Sequence, residues 1–333
     1  MTGLFAKLLS IFRLRFLRLT LFLLFVAGAV VAGFAGWVFF ADGPDKSETR
    51  IVISRGAPLP LIARHLEAQG HIHNRLIFRI GVMLLGKSGS LQAGEFNIPR
   101  TSSMYEVMKL LHDGQVLLHS LTIPEGLSVV QVVALLAENE LLSGEISTPP
   151  QEGSLLPETY SFPRGESRQA LLRRMQLAMR DKLADLWPGR DVNLPFQTPE
   201  EAVILASIVE KETGIAGERA EVAAVFINRL RLRMKLQSDP TIIYGLTGGK
   251  PLGRPIRLSE INGATDYNTY VIRGLPPTPI ANPGAASLAA VLQPAQSDAL
   301  YFVADGTGGH VFARTLEAHN KNVRRWRRIR NRQ

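Results

Sequence analysis

Apolar positions dominate the start of the chain. Leu19 to Ala41 runs for 23 residues without a charge, and a membrane-spanning helix takes about 20 apolar residues. The run ends Trp37-Val-Phe-Phe-Ala41, an aromatic flank of the interfacial kind. Lys7, Arg13, Arg15 and Arg18 precede it with no acidic neighbour. The positive-inside rule then places residues 1–18 in the cytoplasm and everything after Ala41 outside. A cleaved signal peptide has a shorter apolar core and a small-residue cleavage site, so a single-pass anchor over residues 19–41 fits better.

After a polar linker at 42–49 the pattern alternates between brief strands and amphipathic helices. Ile51 to Gly56 reads as strand and turn, Leu59–Gln69 as a helix, and Asn74–Leu85 as a second helix capped by Asn74. Leu91–Ile98 reads as a strand, Ser103–His112 as a helix, Gln115–Ile123 as a strand and Leu127–Asn139 as a helix. An echo recurs at a spacing of 70: Ile53-Ser-Arg-Gly56 matches Ile123-Pro-Glu-Gly126, and Leu66 matches Leu136. It suggests reuse of one strand–turn–helix unit. The strand–helix–helix–strand order over residues 50–99 resembles a LysM-like subdomain, here taken as residues 50–120, although a plain structural module has the same order.

Leu155–Gly165 is extended and proline-rich. Arg168–Leu186 is a long amphipathic helix with Leu172, Met175, Met179, Leu183 and Leu186 at core spacing. Glu218–Leu230 is another helix. The C-terminal third is rich in Gly and Pro, with a hairpin predicted over Leu300–Ala304 and His310–Ala313 and a basic helix over Leu316–Arg328. The fold class expected is α+β: a transmembrane helix, a small LysM-like subdomain, and a mixed α+β catalytic domain over residues 121–333.

One stretch stands apart, Thr198 to Gly214. Thr198 and Glu201 form a capping-box pattern, Pro199 suits the first turn, and Gly214 is a candidate left-handed cap. Val203, Ile204, Leu205, Ala206, Ile208 and Val209 fall all round the axis, as in a buried helix. It nevertheless carries Glu210 and Glu212. A carboxyl seated against apolar neighbours has a raised pKa and can act as a general acid; Glu210 projects between Val203 and Ala206. Pairing with Lys211 or a distant Arg at an exposed helix end accounts for both glutamates as well.

Charge and composition narrow the classes. The net charge is +9, but the eleven basic residues at the two ends exceed it, so the body between them is slightly acidic. That argues against a nucleic-acid-binding fold, which would carry a basic face of its own. The chain has no cysteine, which excludes disulfides, thiolate metal sites and cysteine nucleophiles. Its seven histidines lack metal-site spacing, and no nucleophile-elbow, Walker or dinucleotide loop is present. No metal or cofactor is expected. Amides, hydroxyls and tyrosines gather instead in three loop clusters, Leu236–Gly245, Tyr267–Ile280 and Asn282–Gly284. Such groups recognise sugars, and each alone is also an ordinary turn residue.

Together Ala206–Thr213, Val225–Leu230, Leu236-Gln-Ser-Asp-Pro-Thr-Ile-Ile-Tyr-Gly245, Tyr267-Asn-Thr-Tyr270, Gly274-Leu-Pro-Pro277 and Tyr301–Gly306 resemble the endolytic murein transglycosylase (YceG-like) family. Ser238 departs from the Thr usual there but keeps the hydroxyl. The resemblance implies an inner-membrane lyase acting on peptidoglycan. It would cut strands internally between N-acetylmuramic acid and N-acetylglucosamine, end the elongation of nascent strands and leave 1,6-anhydro termini. The synthases that build those strands are candidate partners. The family's catalytic glutamate is matched to Glu210, and Gln237, Asp239, Tyr267, Asn268 and Asn282 are expected to line a glycan groove around it. Glu210 and Glu212 point about 200° apart on a helix, so they do not readily flank one bond. A hydrolase using Glu210 with Asp239, and a membrane-tethered glycan-binding scaffold, remain as alternatives.

Overall fold

The computed structural model describes residues 2–331, with the backbone alone for residues 2–13. The side chains of Lys7 and Arg13, and all of Arg332, lie outside the described residues. Helix α1 runs Thr2–Phe40, and its Leu14–Phe40 portion is long and apolar enough to cross a membrane. The remainder is mixed helix and strand. By contacts the chain forms two compact units, Met1–His119 and Ser120–Gln333.

In the first unit, β1 (Thr49–Ile53) pairs antiparallel with β2 (Gly94–Ile98), Ile51 opposite Phe96. Between them lie α2 (Leu59–Ala68) and α3 (Arg75–Leu84), and α4 (Met104–Asp113) follows. The Asn74 side chain accepts the Leu76 and Ile77 N–H groups, and Ser103 and Glu106 close a reciprocal capping box, so both starts expected from sequence are built by their caps. Ile51, Leu66, Phe78, Val82, Phe96, Val107 and Leu111 fill one core. The last turn of α1 joins it: Phe39 is buried against α3, where a Cβ on Gly81 would collide with its ring.

The second unit begins in β3 (Leu118–Thr122), which pairs with β4 (Thr159–Pro163). The sequence echo is a backbone echo. Gly56 and Gly126 have φ of 73° and 74°, a conformation that suits glycine, and Leu66 and Leu136 are each fully buried on the helix that follows. That helix here is α5 (Val129–Glu138), capped by Ser128 and Gln131. It packs with Leu155, Phe162, Leu171 and Met175, the last two from α6 (Arg168–Leu186).

Helix α7 (Pro199–Glu212) carries the predicted Thr198–Glu201 capping box and is buried from Ala202 to Val209. Its end differs from expectation. Thr213, at φ −144° and ψ 131°, turns the chain into an extended path, and Gly214 is not a left-handed cap. Helices α8 (Arg219–Arg231) and α11 (Ala285–Leu292) complete the core through Val222, Phe226, Leu288 and Val291. Two further helices, α9 (Asp239–Thr247) and α10 (Leu258–Ile261), lie where the sequence reads as loop. With α11 they are short and bounded by Pro and Gly, so turn signals mask their period. The hairpin β5 (Tyr301–Ala304) and β6 (His310–Ala313) forms as predicted, with Phe302 opposite Phe312, and α12 (Leu316–Arg330) packs on it.

Phe226 is 1% exposed and meets Phe302 edge-on at 5.9 Å. Truncating such a side chain loses its transfer free energy and leaves a cavity. Phe226→Ala is expected to lower unfolding free energy by about 3–5 kcal/mol, read from the shift of a denaturant midpoint at constant slope.

Candidate active site

The two glutamates near the end of α7 enter different surroundings. Glu212 is half-buried, and its Oε1 accepts the Ser238 hydroxyl at 2.5 Å. Ser238 is also the N-cap of α9, yet its side chain does not cap that helix; the hydroxyl is given to Glu212. The Ser238 N–H in turn donates to Thr269 Oγ1 at 2.9 Å, and Thr269 shares a 2.9 Å hydroxyl contact with Thr241. The carboxyl is thus held by one hydroxyl, whose residue is fixed through its backbone by the buried Thr269 and Thr241. Burial is the largest cause that pushes its pKa up, to about 6. The Ser238 hydrogen bond opposes the shift, Asp239 adds to it, and His310 and Arg229 oppose it.

Glu212 forms part of the wall of a cleft of about 400 Å³ that also includes Arg229, Gln237, Asp239, Tyr270 and Tyr301. Arg229 is buried. It donates to the carbonyls of Leu300 at 2.7 Å and Leu236 at 2.7 Å, and its guanidinium lies 5.3 Å from the centroid of the Tyr301 ring. These bonds hold the segment before Ser238, where Gln237 adopts φ 54°, an uncommon conformation for a non-glycine residue. Asp239 accepts the Tyr270 hydroxyl at 2.7 Å. Gln237 and Asp239 are exposed at this cleft, so polar groups that can meet a ligand stand beside a carboxyl whose pKa is raised.

Glu210 lies elsewhere. Its Oε2 accepts the Gly284 N–H at 2.9 Å, and its Oε1 is 3.7 Å from Arg219. Arg219 also bonds Glu125 at 3.3 Å. The Glu125 pKa is raised by burial first and by Glu210 second, with Arg219 opposing. Gly126 packs against Glu210, and its carbonyl accepts from Lys211 at 3.1 Å. The seat expected for Glu210 between Val203 and Ala206 is therefore a cation–carboxylate cluster, with its Arg supplied by the start of α8.

The structure does not gather the five expected groove residues around Glu210. Gln237 and Asp239 stand with Glu212. Tyr267 packs on Tyr244, centroids 4.9 Å apart, and shares a 2.7 Å hydroxyl contact with Thr278. Asn268 is fully buried and ties the carbonyls of Glu260, Ile261 and Gly263, while its own oxygen accepts the Tyr270 N–H. Asn282 is fully buried and links Leu127, Glu152 and Leu155. Both asparagines are internal ties that shape loops. Sequence reading passed over Arg229, Ser238, Thr269 and Tyr270 as site residues, although all sit in the quoted motifs, because nothing in their spacing says which glutamate they face. Among the described residues no group of three His, Asp or Glu side chains is placed to hold a metal ion.

The YceG-like family profile matches residues 51–325. An endolytic murein transglycosylase of Bacillus subtilis is 27% identical over 83% of this chain and 84% of its own length. One of Streptococcus pneumoniae is 29% identical over 91% of this chain, which spans 64% of that longer protein. A crystal structure of a YceG-like protein from Listeria monocytogenes aligns with a TM-score of 0.48 at 29% identity, covering 83% of this chain and 99% of that one.

Two outcomes follow from the geometry. Asn268→Ala removes a buried hub, and unsatisfied groups of this kind cost about 1–3 kcal/mol. A clear fall in melting temperature is expected, whereas Gln237→Ala, at an exposed position, leaves it nearly unchanged. The raised pKa of Glu212 means that the folded chain holds this proton more tightly than the unfolded one. Its stabilising contribution is whole below the ordinary value of 4.5 and is lost as pH rises through about 6. Glu212→Gln should therefore gain on the parent by up to about 2 kcal/mol between pH 4.5 and 7.5, measured as the pH dependence of the difference in unfolding free energy.

Proposed function

The chain belongs to the YceG-like family, and from that premise we propose that it is a lytic peptidoglycan transglycosylase that cuts glycan strands internally between N-acetylmuramic acid and N-acetylglucosamine. The observation that carries the reading is Glu212, a carboxyl with pKa near 6 at the wall of an open polar cleft. General acids work best with a pKa near the operating pH. The acid role moves here from Glu210, the residue the sequence favoured, to Glu212, because Glu210 is engaged by Arg219 and the Gly284 N–H.

In this reading the protonated Glu212 carboxyl gives its proton to the glycosidic oxygen as the bond from C1 of the muramic residue to that oxygen breaks. The resulting carboxylate then takes the proton of the same sugar's 6-hydroxyl, whose oxygen bonds to C1. One carboxyl serves both transfers, no water is consumed, and the new end is a 1,6-anhydro sugar. Ser238 orients the carboxyl. Asp239 disfavours its ionisation and, with Gln237, offers polar groups to sugar hydroxyls and the acetamido group. The α1 anchor would hold the chain in the inner membrane with everything after Ala41 on the outer side, within reach of nascent strands and their synthases. The strand–helix–helix–strand unit, which has LysM-like order, would hold the glycan.

A hydrolase is the second reading, because Asp239 shares the cleft and could serve as a second carboxylate. Digestion of purified peptidoglycan by the full-length protein, with mass analysis of the products, separates the two. Anhydro ends are lighter by one water than the reducing ends of hydrolysis. Glu212→Gln is expected to lose at least the ~10²–10⁴-fold typical of general acid–base catalysis, with Glu210→Gln much milder. The reverse order would return the acid role to Glu210. Absence of any cleavage by the parent protein would leave a glycan-binding scaffold.

A further inference from the structure

Helix α12 has two faces of opposite character. His319, Asn322, Val323 and Trp326 are half-buried, and the helix packs on the β5–β6 hairpin. At about 100° per residue, Lys321, Arg324, Arg325 and Arg328 fall within a sector of roughly 100° centred opposite that packed side. All four are exposed. Arg327 flanks them, and Arg330 lies 4.7 Å over the Trp326 ring, which fixes the helix end. Glu317, the one acidic residue on α12, is exposed in the same sector one turn before Lys321, so the face keeps a net positive charge with one carboxylate in it. The body between the two chain ends is slightly acidic, so this positive face is local rather than part of a general field.

We propose that this basic face docks on anionic phospholipid headgroups. Clusters of four to eight Lys or Arg on an amphipathic helix suit such surfaces, and guanidinium groups match phosphate oxygens in pairs. The same chain carries a helix long enough to cross a bilayer, so headgroups are the anionic partner that its anchor keeps at high local concentration. The exposed sector holds no large apolar side chain. Contact is therefore at headgroup depth, without insertion, and is screened by salt. Leu316, His319 and Asn320 of the same helix line the Glu212 cleft, so docking would fix that cleft at the membrane surface. The inference does not depend on which glutamate is catalytic.

Because the chain has no cysteine, Ala318→Cys places a single nitroxide on the same side of α12 as Arg325, about two turns before it, at an exposed position. The full-length labelled protein is reconstituted in phosphatidylcholine bilayers with and without phosphatidylglycerol. Collision of the label with an aqueous nickel chelate is the readout. Phosphatidylglycerol is expected to lower collision severalfold, and molar salt to restore it. Each basic residue at an anionic surface is worth about fivefold in partitioning. Replacing Arg324, Arg325 and Arg328 together by Gln should thus cut the docked-to-free ratio by about a hundredfold, whereas the triple Lys variant should keep it. Equal collision in the two lipids overturns the proposal. So does shielding that is equal in both and insensitive to salt, or shielding that appears only when peptidoglycan fragments are added, which would mark an acidic wall polymer as the partner.

Discussion

A carboxyl near the end of a helix that is apolar on every side has given up most of its water, and the surroundings of α7 are arranged about that loss. Bulk solvent does not stabilise the charged form of Glu212, so the proton stays on until pH approaches 6. What replaces water is one hydroxyl, from Ser238, backed by Thr269 and Thr241. The bond is short and directional, and it draws on the group that would otherwise cap α9. A modest loss at a helix start, typically about 1 kcal/mol, is exchanged for an oriented carboxyl.

The two glutamates show how two positions along one helix can meet opposite electrostatics. Glu210 faces a guanidinium and a backbone N–H; Glu212 faces hydroxyls, with the Asp239 carboxylate near. Their separation of about 200° around the axis is a property of the α-helix, and the sequence carries it openly. Which side faces which partner is a property of long-range packing: Arg219 follows α7 closely in the chain, whereas Ser238 and Thr269 come from loops far downstream.

That difference explains what could be read in advance. The long apolar helix, the strand–helix–helix–strand unit, the caps of α3 and α7, and the β5–β6 hairpin all rest on local periodicity and capping chemistry, and each forms where its pattern lies. The Gly56 and Gly126 echo was visible because a left-handed turn demands glycine. The helices α9, α10 and α11 were hidden because each is scarcely longer than its own boundary signals. Asn268 and Asn282 looked like ligand-binding amides for a similar reason. An asparagine that bonds sugar and one that bonds backbone carbonyls have the same local sequence, and burial alone tells them apart.

The meeting of Phe39 with Gly81 has a mechanical consequence. The ring fills the notch left by the missing side chain, and Phe39 belongs to the same core as Phe78 and Phe96. The apolar helix, long enough to cross a bilayer, is thereby packed into the core of the small unit that follows it. Any tilt of that helix, set by bilayer thickness, is passed to that unit as a rigid rotation. A bulkier residue at position 81 would loosen that joint and free the unit to turn independently of that helix, without touching a single residue of the Glu212 cleft.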